Sequence, residues 1–360
     1  MAHRAGAPDA FPDSNFLGEG QFDLRAICAD FARRERQVRA CARAEGLTRR
    51  EFLETLAAGA AAAGVVALGW PTAAAAQGAA ARSRVVVVTH PEVLVREYRV
   101  NPPIVREMLD RALVELTGAR TEKDAWRTFA RDTDLLAVKH NSIGAPTLQS
   151  HTEINDAIVQ QMEAQVGLLA ERIVVVDRRV PEPYRDFSDP FTLPSNGLVT
   201  RLRRLYTDHA TGIVNVSVLK AHYGEGLSAA MKNHLGSVNN PAQYHGWEPT
   251  RMPRNLPELN ALEPLRTKTR LCIVDAIRPL YAGGPADEPN YRWDYRGLIV
   301  GTDPVAVTAV GMRILEAKRQ EAIGKEWPMT AAREMVAYAQ GIGLGNADPT
   351  GIDLVEAKMG

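Results

Sequence analysis

Cysteine is scarce: Cys28, Cys41 and Cys272 are the three in 360 residues. A disulfide framework, a cysteine-held zinc site and an iron–sulfur cluster all need more thiols than this chain can bring together, so no iron–sulfur cluster held by it is expected. Cys272 stands in the apolar run Leu-Cys-Ile-Val-Asp, where a buried inert thiol is expected rather than a nucleophile. Net charge is missing as well, since 43 Lys and Arg balance 43 Asp and Glu. A general nucleic-acid binder needs a basic excess to displace counterions, so that class is set aside, although a local basic patch is not. Long apolar runs are also lacking. The longest, over 56–70, is mostly Ala and falls short of the roughly 20 residues a spanning helix takes, so no stable membrane span is expected.

That short run has another use. Thr48-Arg49-Arg50-Glu51-Phe52-Leu53 precedes it, and Pro71 and a small-residue tract over 73–76 follow. Paired Arg, a mild apolar segment and an A-x-A site resemble a twin-arginine (Tat) export signal cleaved after Ala76. The expected organisation is an N-terminal extension and signal over 1–76 and a single domain over 77–360. The Tat export machinery is then a partner, and the location is periplasmic or otherwise exported. The first 47 residues carry Arg but no Lys, and are either a long n-region or lie upstream of the true start. Cleavage would remove Cys28 and Cys41, and also nine basic and nine acidic residues, so the mature chain stays neutral.

In the rest of the chain, apolar runs alternate with helical patterns. The run RVVVVT over 84–89 suits a strand buried on both faces. After Pro102-Pro103, apolar positions recur at helical spacing to Leu116, and Gly118 is a plausible stop. Strands are expected over 134–138, 172–176, 212–219, 269–274, 298–300 and 352–356. Helices are expected over 152–170, 198–206, from Pro304 to about Gln320, and over 331–340. Residues 178–195 and 236–257 read as long loops. Such alternation implies an α/β fold, a mostly parallel sheet with helices on both faces and long loops at the strand carboxyl ends.

In such sheets ligands sit beyond the carboxyl ends of the strands. Here those ends carry Lys139 and Asn141, Asp177, Lys220 and His222, Asp275, and Asp303. The densest stretch is 215–238 (NVSVLKAHYGEGLSAAMKNHLGSV), which adds Asn215, Lys232, Asn233 and His234. Strand alternation puts Lys220 and His222 on one face. A solvated loop with a capping His explains that pair alone; repetition at five strand ends favours a site.

Three chemistries suit it. Lys139, Lys220 and Lys232 can surround a carboxylate or phosphate. Asp177, Asp275, Asp303 and His222 can hold a hard or borderline divalent metal. A Lys beside a second cation can lose its proton near neutrality and act as a base. His222, His234 and His245 lack the spacing of a three-His site. Gly341-x-Gly343-x-Gly345 follows a helix rather than a strand, so it is no dinucleotide fingerprint. Ser217 and Ser228 lack a nucleophile-elbow context. Tyr244, Trp247 and Trp293 could line a pocket, with an ordinary packed loop the simpler reading.

The runs V-x-x-L-K-A-H, M-K-N-H-L-G, V-D followed by G-G-P, and G-T-D-P-V-A-V together resemble the family called domain of unknown function 362 (DUF362). The likeness is expected from about Arg84 to Glu356. It implies family positions at Lys139, Asn141, Asn215, Lys220, His222, Lys232, Asn233, Gly236, Asp275, Gly284, Pro285, Gly301 and Asp303. Members commonly carry an acidic residue where this chain has Thr308, and many carry ferredoxin-like cysteine clusters that this chain lacks. The family brings no settled reaction. The expectation is an exported enzyme for a small anionic ligand, with Lys220, His222 and Asp275 catalytic. Lys139, Asn141, Asn215, Lys232 and Asn233 bind the ligand, and Asp303 and Asp177 are metal candidates. The competing class is a non-catalytic cofactor- or ligand-binding accessory with an exported redox partner protein.

Overall fold

The computed structural model describes residues 82–360, apart from position 97, 223–225 and 245–251. The export signal, the boundary after Ala76, Cys28, Cys41, His245 and Trp247 therefore lie outside the described residues. The described residues all fall in the second of two units, Thr72–Gly360.

In chain order the elements are β1 (Ser83–Thr89), β2 (Leu94–Arg96), β3 (Arg99–Val100), α1 (Pro102–Thr117), α2 (Glu122–Arg127), β4 (Leu136–Lys139), α3 (Thr152–Gln161), β5 (Ile173–Val176), β6 (Phe191–Thr192) and β7 (Val199–Thr200). There follow β8 (Gly212–His222), β9 (Gly226–Ser228), α4 (Ala230–Asn233), α5 (Met252–Ala261), α6 (Glu263–Lys268), β10 (Thr269–Leu280), β11 (Gly297–Gly301), α7 (Pro304–Ile323), α8 (Thr330–Gly341) and β12 (Ile352–Lys358).

The fold is α/β. Its central sheet runs β12-β1-β11-β10-β8-β4-β5, and β9 folds back on β8. Neighbours are parallel except at β11, which is antiparallel to both β1 and β10. The valines of β1 show why the strands read as unbroken apolar runs. Val85 and Val87 enter one core with α7 and α8, while Val86 and Val88 enter another with α1 and α3.

Helix ends follow local chemistry. Pro102 and Pro103 open α1, and Gly118 closes it in the left-handed region (φ 68°), its N–H bonding Val114 O at 2.8 Å. The carboxylate of Asp303 caps α7, accepting from Val305 N and Ala306 N at 2.8 and 3.0 Å.

Several boundaries differ from expectation. Residues 198–206 are not a helix: β7 and bridges at Leu202 and Arg203 come first, then a π-helical turn, Leu205–His209. The helix expected over 152–170 is α only to Gln161, turns π over Met162–Val166 and stops at Gly167 (φ 86°); its cap residue is His151, not Thr152. The loop expected over 236–257 gives way to α5. β10 does not end at Asp275 but runs five residues further, through a register shift after it. Asp275 Oδ1 accepts from Ile277 N at 3.0 Å, which satisfies a donor the ladder releases there.

Candidate functional site

β8 carries the site. Val214 and Val216 pack in the α1/α3 core and Ile213 and Leu219 in the other, so alternation sets Lys220 and His222 on the first face and Asn215 on the second. Lys139 pairs in register with Asn215 across β4 and β8.

Lys139 is fully buried. Its ammonium donates to Asp177 Oδ1 at 2.6 Å, to His140 O at 2.6 Å and to Asn233 Oδ1 at 3.4 Å, which uses all three protons. Asp177 Oδ2 accepts from Ser142 N at 2.9 Å and from the Ser142 hydroxyl. Burial alone would raise the Asp177 pKa, but Lys139 and the Ser142 donors outweigh it and hold the carboxyl below the usual range.

Asn233 is the hub. Its Nδ2 lies 2.7 Å from Asn215 Oδ1, 2.9 Å from Lys139 O and 3.1 Å from Val216 O. Its Oδ1 accepts from Asn141 Nδ2 at 3.2 Å as well as from Lys139. Asn141 Oδ1 in turn lies 3.5 Å from Lys220 Nζ. Lys220 also donates to Ile143 O at 2.5 Å and Leu148 O at 3.3 Å, tying the segment after β4 to β8. Burial first and the Lys232 charge second depress the Lys220 pKa to about 7, against Asp177 and Asp287. The carbonyl oxygens around Nζ favour the charged form, so the proton is held by them and released near neutrality.

Two close backbone approaches shape this rim. A Cβ on Gly236 would stand 2.5 Å from Asp177 Oδ1 and 2.6 Å from Lys139 Nζ. A Cβ on Gly284 (φ 75°) would meet Ala221 O at 2.0 Å, so the loop from Tyr281 to Arg296 lies directly on the end of β8. Asp287 in that loop accepts from Thr147 Oγ1 at 2.5 Å and from Arg292 at 3.2 Å. Tyr281 packs edge to face on both Tyr291 and Trp293, with centroids 5.5 and 5.9 Å apart, and Trp293 on Tyr295 at 6.1 Å. Trp293 is therefore a packed loop aromatic.

Lys139, Asn141, Asp177, Asn215, Lys220 and Asn233 thus form one hydrogen-bonded network, and Lys232 is close enough for its charge to act on Lys220. His222 is buried at the end of β8, opposite Gly226 of β9. The acidic groups do not converge as expected. Asp275 Oδ2 is taken by His151, whose N and Nδ1 lie 2.7 and 2.6 Å away. Asp303 is at the other rim altogether. Because β11 runs antiparallel, Gly301 pairs with Val85 and Cys272 near the starts of β1 and β10. There Asp303 Oδ2 accepts from Ser83 Oγ at 2.6 Å and Asn346 N at 2.8 Å, while Oδ1 caps α7. Asp177 and Asp303 are therefore not partners in one metal site. Among the described residues no three His, Cys, Asp or Glu side chains gather to hold a metal ion.

His234 is buried in the second core, and burial together with Lys139 pushes its pKa down to about 3, so it is neutral. Cys272 is a free, buried thiol that burial pushes up to about 12. Thr308 is buried, and its hydroxyl donates to Pro304 O at 2.7 Å and accepts from Met231 N at 3.3 Å, bracing the helix that carries Lys232 and Asn233.

Beside Asp177 a cleft of about 730 Å³ opens, lined by His140, Ser142, Arg178, Arg179, Arg203 and Gly236 among others. Its arginines, His140 and His151 are not strand-end groups of the expected pattern. Only chain folding brings His151 to Asp275, 124 positions away.

Among the described residues no helix is long and apolar enough to cross a membrane. Residues 204–313 match the family described as domain of unknown function (DUF362). The DUF362 segment holds β8 to β11 and the first half of α7, about a third of the chain, rather than the span from Arg84 to Glu356 that the likeness led one to expect. It contains Asn215, Lys220, His222, Lys232, Asn233, Gly236 and Gly284, whereas Lys139, Asn141 and Asp177 come from the segment before it. A crystal structure of a Thermotoga maritima protein is similar over 63% of this chain, at 11% identity and a TM-score of 0.35; the match spans 61% of that protein's length. No curated protein matches the chain.

The His151–Asp275 pair gives a pH test. Burial would lower the His151 pKa, but the Asp275 charge and hydrogen bond outweigh it and raise the pKa above the ordinary value. The charged pair therefore stabilises the fold fully below about pH 6.5 and loses that contribution as pH rises through the higher folded value. Urea unfolding of wild type and His151→Gln should differ by about 1.5–3 kcal/mol at pH 5.5. The gap should narrow by pH 9. A constant gap would mean that the imidazole does not titrate against Asp275.

Proposed function

We propose that this is an exported DUF362-like enzyme acting on a small anionic substrate at the carboxyl ends of β4, β5 and β8. One observation supports it above the rest: the ends of β4 and β5, strand β8 and helix α4 bring two lysines, an aspartate and three asparagines into a single hydrogen-bonded network beside a cleft. Polar groups so deeply buried cost stability unless fully partnered, and a core needs none of them. In this reading Lys220 is the proton-transfer group, since an amine that releases its proton near neutrality suits a general base. Lys232 contributes the second cation, and His222 is a further acid–base candidate on the same strand face. Asn141 and Asn233 fix the lysines. The twin-arginine signature supports export.

The test uses purified full-length protein with carboxylate and phosphate substrates, alongside metal analysis and native mass spectrometry. A base must be unprotonated, so kcat/KM should rise with pH through about 7 and then level. Lys220→Arg, which stays charged, should lower it by about 100-fold or more. If Lys220→Arg turns over normally, Lys220 is not the base. Absence of turnover with a protein that co-purifies would instead favour the accessory role.

A further inference from the structure

The cleft carries an excess of positive charge that the network does not use. Arg178, Arg179 and Arg203 all line it, and the acid among its lining residues, Asp177, is already matched by Lys139 and Ser142. From this geometry we infer that the cleft over the ends of β4 and β5 is a subsite for a small polyanion with two or more negative charges, held by Arg178, Arg179 and Arg203 with His140 beside them. The inference rests on the anion site proposed above and names the class of anion.

The three guanidiniums differ in how they are held. Arg178 and Arg179 are exposed at the end of β5 and free to close on a ligand. Arg203 is fixed: it lies 4.0 Å over the Phe187 ring and donates to the carbonyls of Arg185 and Arg178. A guanidinium presents paired donors that match a carboxylate or phosphate edge, so one placed and two mobile forks suit several oxyanion groups better than one. His140 sits between Lys139 and this cluster. Burial first, then Lys139, lowers its pKa against Asp177, so the ring is neutral. Its Nδ1 has no hydrogen-bond partner among the described residues. A volume of about 730 Å³ falls in the range of small-ligand pockets. A monoanion would satisfy one fork and leave the rest unmatched.

Calorimetric titration of the full chain with pyrophosphate, citrate and acetate tests this. Pyrophosphate, citrate or both should bind, at least about tenfold more tightly than acetate. Pyrophosphate alone would assign phosphoesters, citrate alone polycarboxylates. The double variant R178Q/R179Q, with its melting curve unchanged because both side chains are exposed, should weaken that binding about tenfold or more. Bound polyanion should also shift the His140 ring resonances, identified by their loss in His140→Gln. Binding unaltered by R178Q/R179Q, or acetate binding as tightly as the polyanions, overturns the subsite. If binding survives R178Q/R179Q but is lost in Lys232→Gln, the anion site stands and the arginine subsite falls. If no anion binds at all, both fall.

Discussion

Asp177→Asn should destabilise the protein by about 3–5 kcal/mol, because it strands the Lys139 ammonium in a place with no access to water. The substitution keeps the shape of the side chain and both contacts to Ser142 within reach, so the loss is electrostatic rather than steric. Lys139 would be left with only the His140 carbonyl and the Asn233 amide oxygen, neither of them charged. Lys139→Met should also be costly, but Lys139→Met combined with Asp177→Asn should fall short of the sum by about 1–3 kcal/mol, since the double variant buries no unpaired charge. The pH dependence has a definite sign. Asp177 is held below the ordinary carboxylate range, so its contribution is complete above about pH 4 and lost as pH falls through the lower folded value. Chemical unfolding of the three variants at pH 7, at pH 4 and at still lower pH, through the Asp177 transition, measures all of this. Strict additivity, or a cost below about 1 kcal/mol for Asp177→Asn, would show that the pair is solvated and that the network argument fails.

Gly236→Ala should be nearly as severe, although it adds a single methyl group. That methyl would lie 2.5–2.6 Å from Asp177 Oδ1, Lys139 Cε and Lys139 Nζ. Overpacking alone costs about 1–3 kcal/mol, and here the atoms that must yield are the two charged ends of a buried pair. A loss of about 3 kcal/mol or more, with anion binding reduced in parallel, is the expected outcome. Gly341→Ala is the control: nothing lies within 4 Å of its added Cβ, and an alanine there has better helix propensity. A Gly236→Ala protein as stable as the Gly341→Ala protein would mean that the pair moves aside freely.

Much of the fold and half of the site could be read from residue order. β-branched runs located the central strands, because strands buried on both faces need no alternation to be recognised. Lys139, Asn141 and Lys220 meet because parallel neighbours bring their carboxyl ends together, and these strands are parallel; Asn215 and Asn233 join them from within β8 and from α4. Asp303 was misplaced for the complementary reason. Direction is a property of pairing, and the short apolar run of β11 reads the same either way along the sheet. Asp275 was taken for a strand end because a charged residue closes an apolar run, whereas its carboxylate satisfies a backbone donor within a continuing strand. Over 198–206, where a helix is expected, Leu198, Leu202, Leu205 and Tyr206 are spaced as on a helical stripe. There, strand bridges and a π turn bury Leu202, Leu205 and Tyr206 instead. His151 and the cleft arginines carried no local signal, since their partners lie in other segments.

The reversed direction of β11 has an effect on how this architecture can vary. A connection between parallel strands must travel from one rim to the other, but the segment joining β10 to β11 leaves and returns on the same side, over the rim where β8 and β10 end. Its ends are pinned by ladder hydrogen bonds and by the Leu280–Arg292 bridge, while its tip carries Asp287 against Thr147. Residues can be inserted or removed at its tip, between Pro285 and Pro289, without shifting the register of any strand. The fold therefore offers an exchangeable cover over a fixed set of charged groups.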